Sequence, residues 1–224
     1  MTTQREPGIQ WGSLLLNLLG FVSNSIALYA ANFVYENPYA VGFGGHFQYL
    51  TIIGLTTATL AFGLKLCRFA LPGALPRLHE TLSHLAIPVE GSISLLYWTM
   101  VLVDPGLLIP EDVPPIPMIL DCALHLYPAV FLWSDFLIFN LEFKRSYQHV
   151  AAIYGFTLFY LAWSWMCQLQ NGYWPYPFLD QVTLVVRLLI YFSAGTLCWF
   201  IYEAGAFMHT ALHARRMILR KKAV

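Results

Sequence analysis

The sequence predicts an all-α, polytopic membrane protein of six transmembrane helices with amino and carboxyl termini in the cytosol, and three observations carry that prediction. Of 224 residues, 58% are hydrophobic and only 11% are Asp, Glu, Lys or Arg, against about 25% in a soluble domain. Six apolar runs are near the ~20 residues that cross a bilayer as a helix. The Lys and Arg residues then gather on one side of the resulting topology. The mean hydropathy of +0.59 agrees. Twelve bases against twelve acids give zero formal charge, so the chain has no electrostatic footprint for a nucleic-acid partner.

The first run is 11–34. A signal peptide is the competing reading, since Ala27, Ala30 and Ala31 are small residues near its far end. Its apolar stretch exceeds the roughly 7–15 residues of a signal core, and one Arg5 sits beside one Glu6, so it reads as a span. The second and third runs are 46–70 and 84–103. The connection 104–117, DPGLLIPEDVPPIP, holds five of the thirteen prolines and should be an extended, helix-breaking loop. The fourth run, 118–140, and the sixth, 180–208, contain ionisable residues; the fifth is 148–168. All are continuous apolar stretches instead of alternating ones, which excludes a β-barrel. With no internal repeat, heptad or linker, residues 1–224 read as a single membrane domain.

A cytosolic amino terminus puts Arg5, Lys65, Arg68, Arg77, Lys144, Arg145, Arg215, Arg216, Arg220, Lys221 and Lys222 on one side, eleven of the twelve bases. The outer side carries Glu36, Asp104, Glu111, Asp112 and Asp180, in keeping with the positive-inside rule. The twelfth base, Arg187, lies within the sixth span. Cys67, Cys122, Cys167 and Cys198 fall one to a span without C-x-x-C spacing, as buried thiols and neither a disulfide framework nor a zinc site. Lys221-Lys222-Ala223-Val224 resembles the di-lysine retrieval signal of endoplasmic reticulum membrane proteins, which a coat protein would read. The alternative is a continuation of the positive-inside cluster.

Ionisable groups inside a span are costly, so each is a candidate for function or for structural pairing. At 1.5 Å per residue, Thr51 lies roughly 8 Å below His46, His125 roughly 10 Å below Met118, and Arg187 roughly 10 Å below Asp180. Asp121 is one turn above His125 on nearly the same helical face. A neutral imidazole can take a proton from a Thr hydroxyl, and an acceptor on its other nitrogen fixes the tautomer, so Thr51, His125 and Asp121 could be nucleophile, base and orienting acid. The structural alternative is that the hydroxyls of Thr51, Thr56, Thr57 and Thr59 bond to the preceding helical turn. Near the inner surface, Lys65 should pair with Glu90 or Asp135.

Three segments carry a family resemblance. Gly44-Gly45-His46-Phe47-Gln48-Tyr49-Leu50-Thr51 is similar to a Gly-Gly-x-aromatic-x-aromatic-Leu-Thr segment of the androgen-induced protein family, which includes the androgen-dependent regulator of tissue factor pathway inhibitor. DCALHLYPAVFLWSD, Asp121 to Asp135, resembles its histidine segment, and Gly172-Tyr173-Trp174-Pro175-Tyr176-Pro177-Phe178-Leu179-Asp180 resembles its G-x-W-x-Y-P-F-L-acid loop. The resemblance implies an intramembrane threonine hydrolase of fatty acid esters of hydroxy fatty acids, without cofactor or metal, with Thr51 as nucleophile and His125 as base. The chain departs from it at Asp121, where a family member has Asn. For such a substrate Arg187 is expected to bind either the free carboxylate or Asp121, and Gln48, one turn from Thr51, is a candidate oxyanion donor.

Rival readings come from other classes. A membrane haem protein could draw on His46, His84, His125 and His149, but His84 and His149 are placed at inner span edges instead of in deep axial pairs. A di-metal desaturase lacks His-rich boxes beyond His209 and His213. A non-catalytic lipid-binding or scaffold protein would keep the spans and lose only the chemistry.

Overall fold

The structure is a computed structural model that describes residues 7–35, 37–109, 115–140 and 143–222, with the side chains of 7–9, 39 and 215–222 left aside. Every regular element among them is helical: α1 (Pro7–Phe33), α2 (Leu50–Ala70), α3 (Pro76–Val103), α4 (Met118–His125), α5 (Tyr127–Ser134), α6 (Tyr147–Asn171), α7 (Pro177–Asp180) and α8 (Leu184–Lys222). Arg5, Glu36, Glu111, Asp112, Ala223 and Val224 lie outside the described residues. The side chains of the tail bases, including Lys221 and Lys222, do too.

Five of these helices, α1, α2, α3, α6 and α8, are long and apolar enough to cross a membrane. The expected fourth span is instead a broken one: α4 and α5 meet at an angle of 44°. Its cause is Pro128, which has no N–H to donate and whose ring crowds the carbonyl four residues back, at Leu124. Leu126, at φ −131° and ψ −53°, takes up the distortion. A π-helical turn, Asp135–Phe139, then ends the segment. The break falls one residue after His125.

Alternate faces of the helices meet different media. Leu60, Leu95, Phe159 and Phe200 are each more than half exposed, whereas Leu55, Ala58 and Phe62 are fully buried. An outer surface of this kind matches a hydrocarbon solvent. α2 packs between α1 and α3, and α3 in turn contacts α5, α6 and α8. Small side chains, Ala58, Ala61 and Ala86, let α2 and α3 approach closely beside Phe62 and Leu132.

Two helix starts differ from the sequence expectation. α2 begins at Leu50 and not at His46, because Gly44 and Gly45 turn the chain at φ +85° and +51°. Those left-handed conformations cost a glycine almost nothing. A single 3-10 turn, Gly45–Gln48, follows, so Thr51 is the second residue of α2 instead of one already deep in a span. α8 begins at Leu184 and not at Asp180, with Thr183 Oγ1 accepting from the Val186 N–H at 3.5 Å. Arg187 therefore lies in the first turn of α8.

Gly44 also touches α6: a Cβ there would lie 2.9 Å from Cys167 Sγ. Gly44→Ala thus combines a left-handed penalty of about 1–2 kcal/mol with a steric conflict. The expected outcome is a lower melting temperature in detergent, since the same turn sets the start of α2.

Candidate active site

A cavity of about 830 Å³ opens at the end of the bundle where α2 begins and α3 ends. Thr51, His125, Tyr97 and Tyr176 all line it, as do His46 and Asp180. Thr51 and His125, read from the sequence as a pair, thus face one space from two different helices.

Thr51 stands apart from the other threonines of α2. The hydroxyls of Thr56, Thr57 and Thr59 donate to the carbonyls of Ile52, Ile53 and Leu55 one turn back, at 2.7, 2.8 and 2.6 Å. That is the ordinary way a membrane helix satisfies a hydroxyl. One turn before Thr51 the chain is not yet α-helical, and the Phe47 carbonyl there accepts from the Trp163 indole at 2.8 Å. The Thr51 hydroxyl has no such bond to the preceding turn and lies near the phenol of Tyr176, at the wall of the cavity. That phenol accepts from the Leu50 N–H at 3.0 Å, so a side chain from the loop before α7 caps the start of α2. Burial holds the Tyr176 phenol above its ordinary range, and its proton remains available to donate.

His125 is held on two sides. Its Nδ1 is 2.7 Å from Asp121 Oδ1, one turn back on α4. A carboxylate only accepts, so the proton belongs on Nδ1 and the lone pair on Nε2. The Tyr97 ring, from α3, stacks on the imidazole with centroids 3.4 Å apart and planes 5° from parallel. Its hydroxyl lies near the Asp121 carboxylate. Tyr97 and Asp121 thereby fix the ring and the tautomer together. Tyr97 and Tyr176 have no counterpart in the sequence reading: an aromatic residue within an apolar run looks like any lipid-facing one, and Tyr176 signals itself only as part of the loop motif.

Two expected contacts are not formed. Gln48 is fully buried and is not among the cavity-lining residues; its Nε2 donates to the Gly45 carbonyl at 3.0 Å and supports the glycine turn. Arg187 bonds neither to Asp121 nor into the cavity. Its Nε and Nη2 donate to the Leu179 carbonyl at 3.1 and 2.6 Å, and Nη2 also to Val182 at 2.9 Å. Its guanidinium lies over the Trp174 ring, 4.3 Å from the centroid. The reason is the late start of α8, which sets Arg187 beside the loop it must close. Three charge-assisted hydrogen bonds are at stake, so Arg187→Gln should lower stability by about 2–3 kcal/mol. A thermal melt should register that loss.

At the other end of the bundle, Lys65 Nζ pairs with Asp135 Oδ2 at 3.7 Å, and Ser13 Oγ donates to Asp135 Oδ1 at 2.5 Å. Glu90, the other expected partner, is 1% exposed, and its Oε1 makes no hydrogen bond. The four cysteines are free thiols; Cys67 is exposed, Cys122 half-buried and the other two buried.

Broken and continuous apolar helices around an end-on cavity with a few polar side chains define a polytopic helical membrane protein. The chain belongs to the FAR-17a/AIG1-like protein family, whose match runs over residues 12–210 and so includes all three sequence segments. It is 28% identical over 199 residues to a UPF0641 membrane protein of Schizosaccharomyces pombe, spanning 86% of this chain and 89% of that one. A UPF0641 membrane protein of Saccharomyces cerevisiae is 27% identical over 211 residues, 84% of each chain. The androgen-induced gene 1 protein of Homo sapiens is 23% identical over 187 residues, 76% of this chain and 79% of the relative. No solved structure matches.

Proposed function

We propose that the protein is an intramembrane hydrolase of fatty acid esters of hydroxy fatty acids, with Thr51 as nucleophile, His125 as general base and Asp121 as the residue that orients it. The observation that carries this reading is that Thr51 and His125 line one cavity, with Thr51 the threonine of α2 whose hydroxyl is not spent on the preceding turn and His125 presenting Nε2 as the basic nitrogen. A cavity of about 830 Å³ within apolar walls suits a branched lipid whose scissile ester lies partway along an acyl chain.

In the first step Thr51 Oγ1 attacks the ester carbonyl carbon as its proton passes to His125 Nε2. The oxyanion faces the positive end of α2, where the Tyr176 hydroxyl is the candidate donor. Collapse expels the alkoxide of the hydroxy fatty acid, which takes the proton from His125 and leaves an acyl-threonine. A water entering from the cavity mouth, deprotonated by the same Nε2, attacks that ester, and Thr51 leaves with the proton. Asp121 stabilises the imidazolium formed in both halves. With Arg187 committed to loop carbonyls, the substrate carboxylate is left at the polar mouth. The cavity then faces the lumen if the termini are cytosolic and the protein resides in the endoplasmic reticulum membrane.

A fluorophosphonate probe tests the assignment. The full chain in detergent should be labelled at one site, and mass spectrometry of the digest should find the adduct on Thr51. An adduct on another residue with turnover lost would move the nucleophile there; no adduct and no ester turnover would leave a lipid-binding protein.

A further inference from the structure

At the end of the bundle away from the cavity, Glu80 and His84 of α3 and His149 of α6 bring one carboxylate and two imidazoles together. A ligand atom of each lies within 4.8 Å of the others. Glu80 and His84 are four residues apart, so one helical face presents both. We propose that these three residues bind a divalent transition-metal cation of the zinc class, with one coordination position left open.

The strongest sign is His84. It is only 9% exposed, and neither ring nitrogen closes a hydrogen bond. The main-chain carbonyl of Glu80 approaches it from one turn back without completing one. A buried imidazole in that state is left with unmet polar atoms, which a cation on its lone pair would satisfy. His149 supplies the second sign. Its Nδ1 is 2.9 Å from the Tyr202 hydroxyl, and its Nε2 lies 3.9 Å from Glu80 Oε1. A ring whose one nitrogen is tied to a neighbouring oxygen while the other meets a carboxylate has the arrangement of a metal-bound histidine.

The His84 and His149 rings lie with centroids 4.2 Å apart and planes 32° from parallel, so both turn about χ2 for their lone pairs to converge on one ion. Bonds of about 2.0–2.1 Å place tetrahedral ligands roughly 3.4 Å apart. The His149–Glu80 separation of 3.9 Å is long for an ion pair and near that value, and the Glu80 side chain, 62% exposed, is free to swing inward. Two imidazoles and a carboxylate suit zinc-class ions better than calcium or magnesium, which take oxygen ligands. The nearby Lys65 ammonium is balanced by Asp135. Thirteen residues of α3 separate His84 from Tyr97, about 20 Å along the axis. The cation would therefore tie α3 to α6, and through Tyr202 to α8, without touching the ester chemistry.

The full-length protein, purified in detergent and stripped with chelator, should be titrated with Co²⁺ as a spectroscopic probe. The expected result is a single bound ion with the ligand-field bands of a low-coordinate nitrogen and oxygen site, displaced by Zn²⁺, and a higher melting temperature with Zn²⁺. Glu80→Gln, on an exposed side chain that leaves the fold intact, should weaken binding by about 10-fold or more. His84→Ala with His149→Ala should remove the bands. Absence of bands in the unaltered protein at millimolar Co²⁺, or affinity unchanged by Glu80→Gln, overturns the proposal. Bands that persist in the double variant place the ion on the neighbouring His209 and His213 pair and overturn it too.

Discussion

Thr51→Ala should lower ester hydrolysis by about 10³-fold or more, with insertion in the membrane and melting temperature little changed. The argument is local. The hydroxyl makes no bond to its own helix and faces a cavity, so its removal takes away a nucleophile and one contact with Tyr176. The Leu50 N–H still bonds the Tyr176 phenol at 3.0 Å, so the start of α2 keeps its cap. Thr56→Ala is the matched control. That side chain, on the same helix, spends its hydroxyl on the Ile52 carbonyl at 2.7 Å and should be nearly silent in turnover. Thr51→Ser should retain part of the activity, because it keeps the oxygen and loses only the methyl group that restricts its rotamer. Rates of release of fatty acid from a synthetic branched ester, measured for all three, decide the matter. Full activity in Thr51→Ala would remove this residue from the chemistry.

The spans and the site were legible to different degrees, and for physical reasons. Length and apolar continuity locate a membrane helix because the bilayer admits little else. They do not locate its ends: Gly44 and Gly45 delayed α2 to Leu50, and Thr183 delayed α8 to Leu184. The later start sets Arg187 beside the loop before α8, where carbonyls claim its guanidinium. Helical spacing sufficed to pair Asp121 with His125, since i, i+4 neighbours meet on one face. It could not reveal that Tyr97 stacks there, because that contact joins α3 to α4 across a separation set by packing alone. The same limit applied to Glu80, His84 and His149. Their rings and carboxylate converge only when α6 is laid against α3.

His125 should matter almost as much as Thr51, and it offers a sharper test. A positioned general base contributes about 10²–10⁴-fold, so His125→Ala should lose turnover within that range or beyond it. Alanine also removes a buried ring from beneath Tyr97, which costs packing. His125→Gln separates the two effects: its amide can still donate to Asp121, but it takes no proton. The glutamine variant should therefore lose less melting temperature than the alanine variant, because it fills the space and keeps the bond to Asp121, and lose its rate all the same. Asp121→Asn should fall between, since the ring stays stacked but the imidazolium loses its counter-charge. The decisive comparison is the double variant Thr51→Ala with His125→Gln. Two groups that act as one unit lose nearly everything when either is removed, so the pair should be no slower than the slower single variant. Losses that multiplied would mean that the two residues act independently, and the geometry that sets them at one cavity would then need a reading other than nucleophile and base.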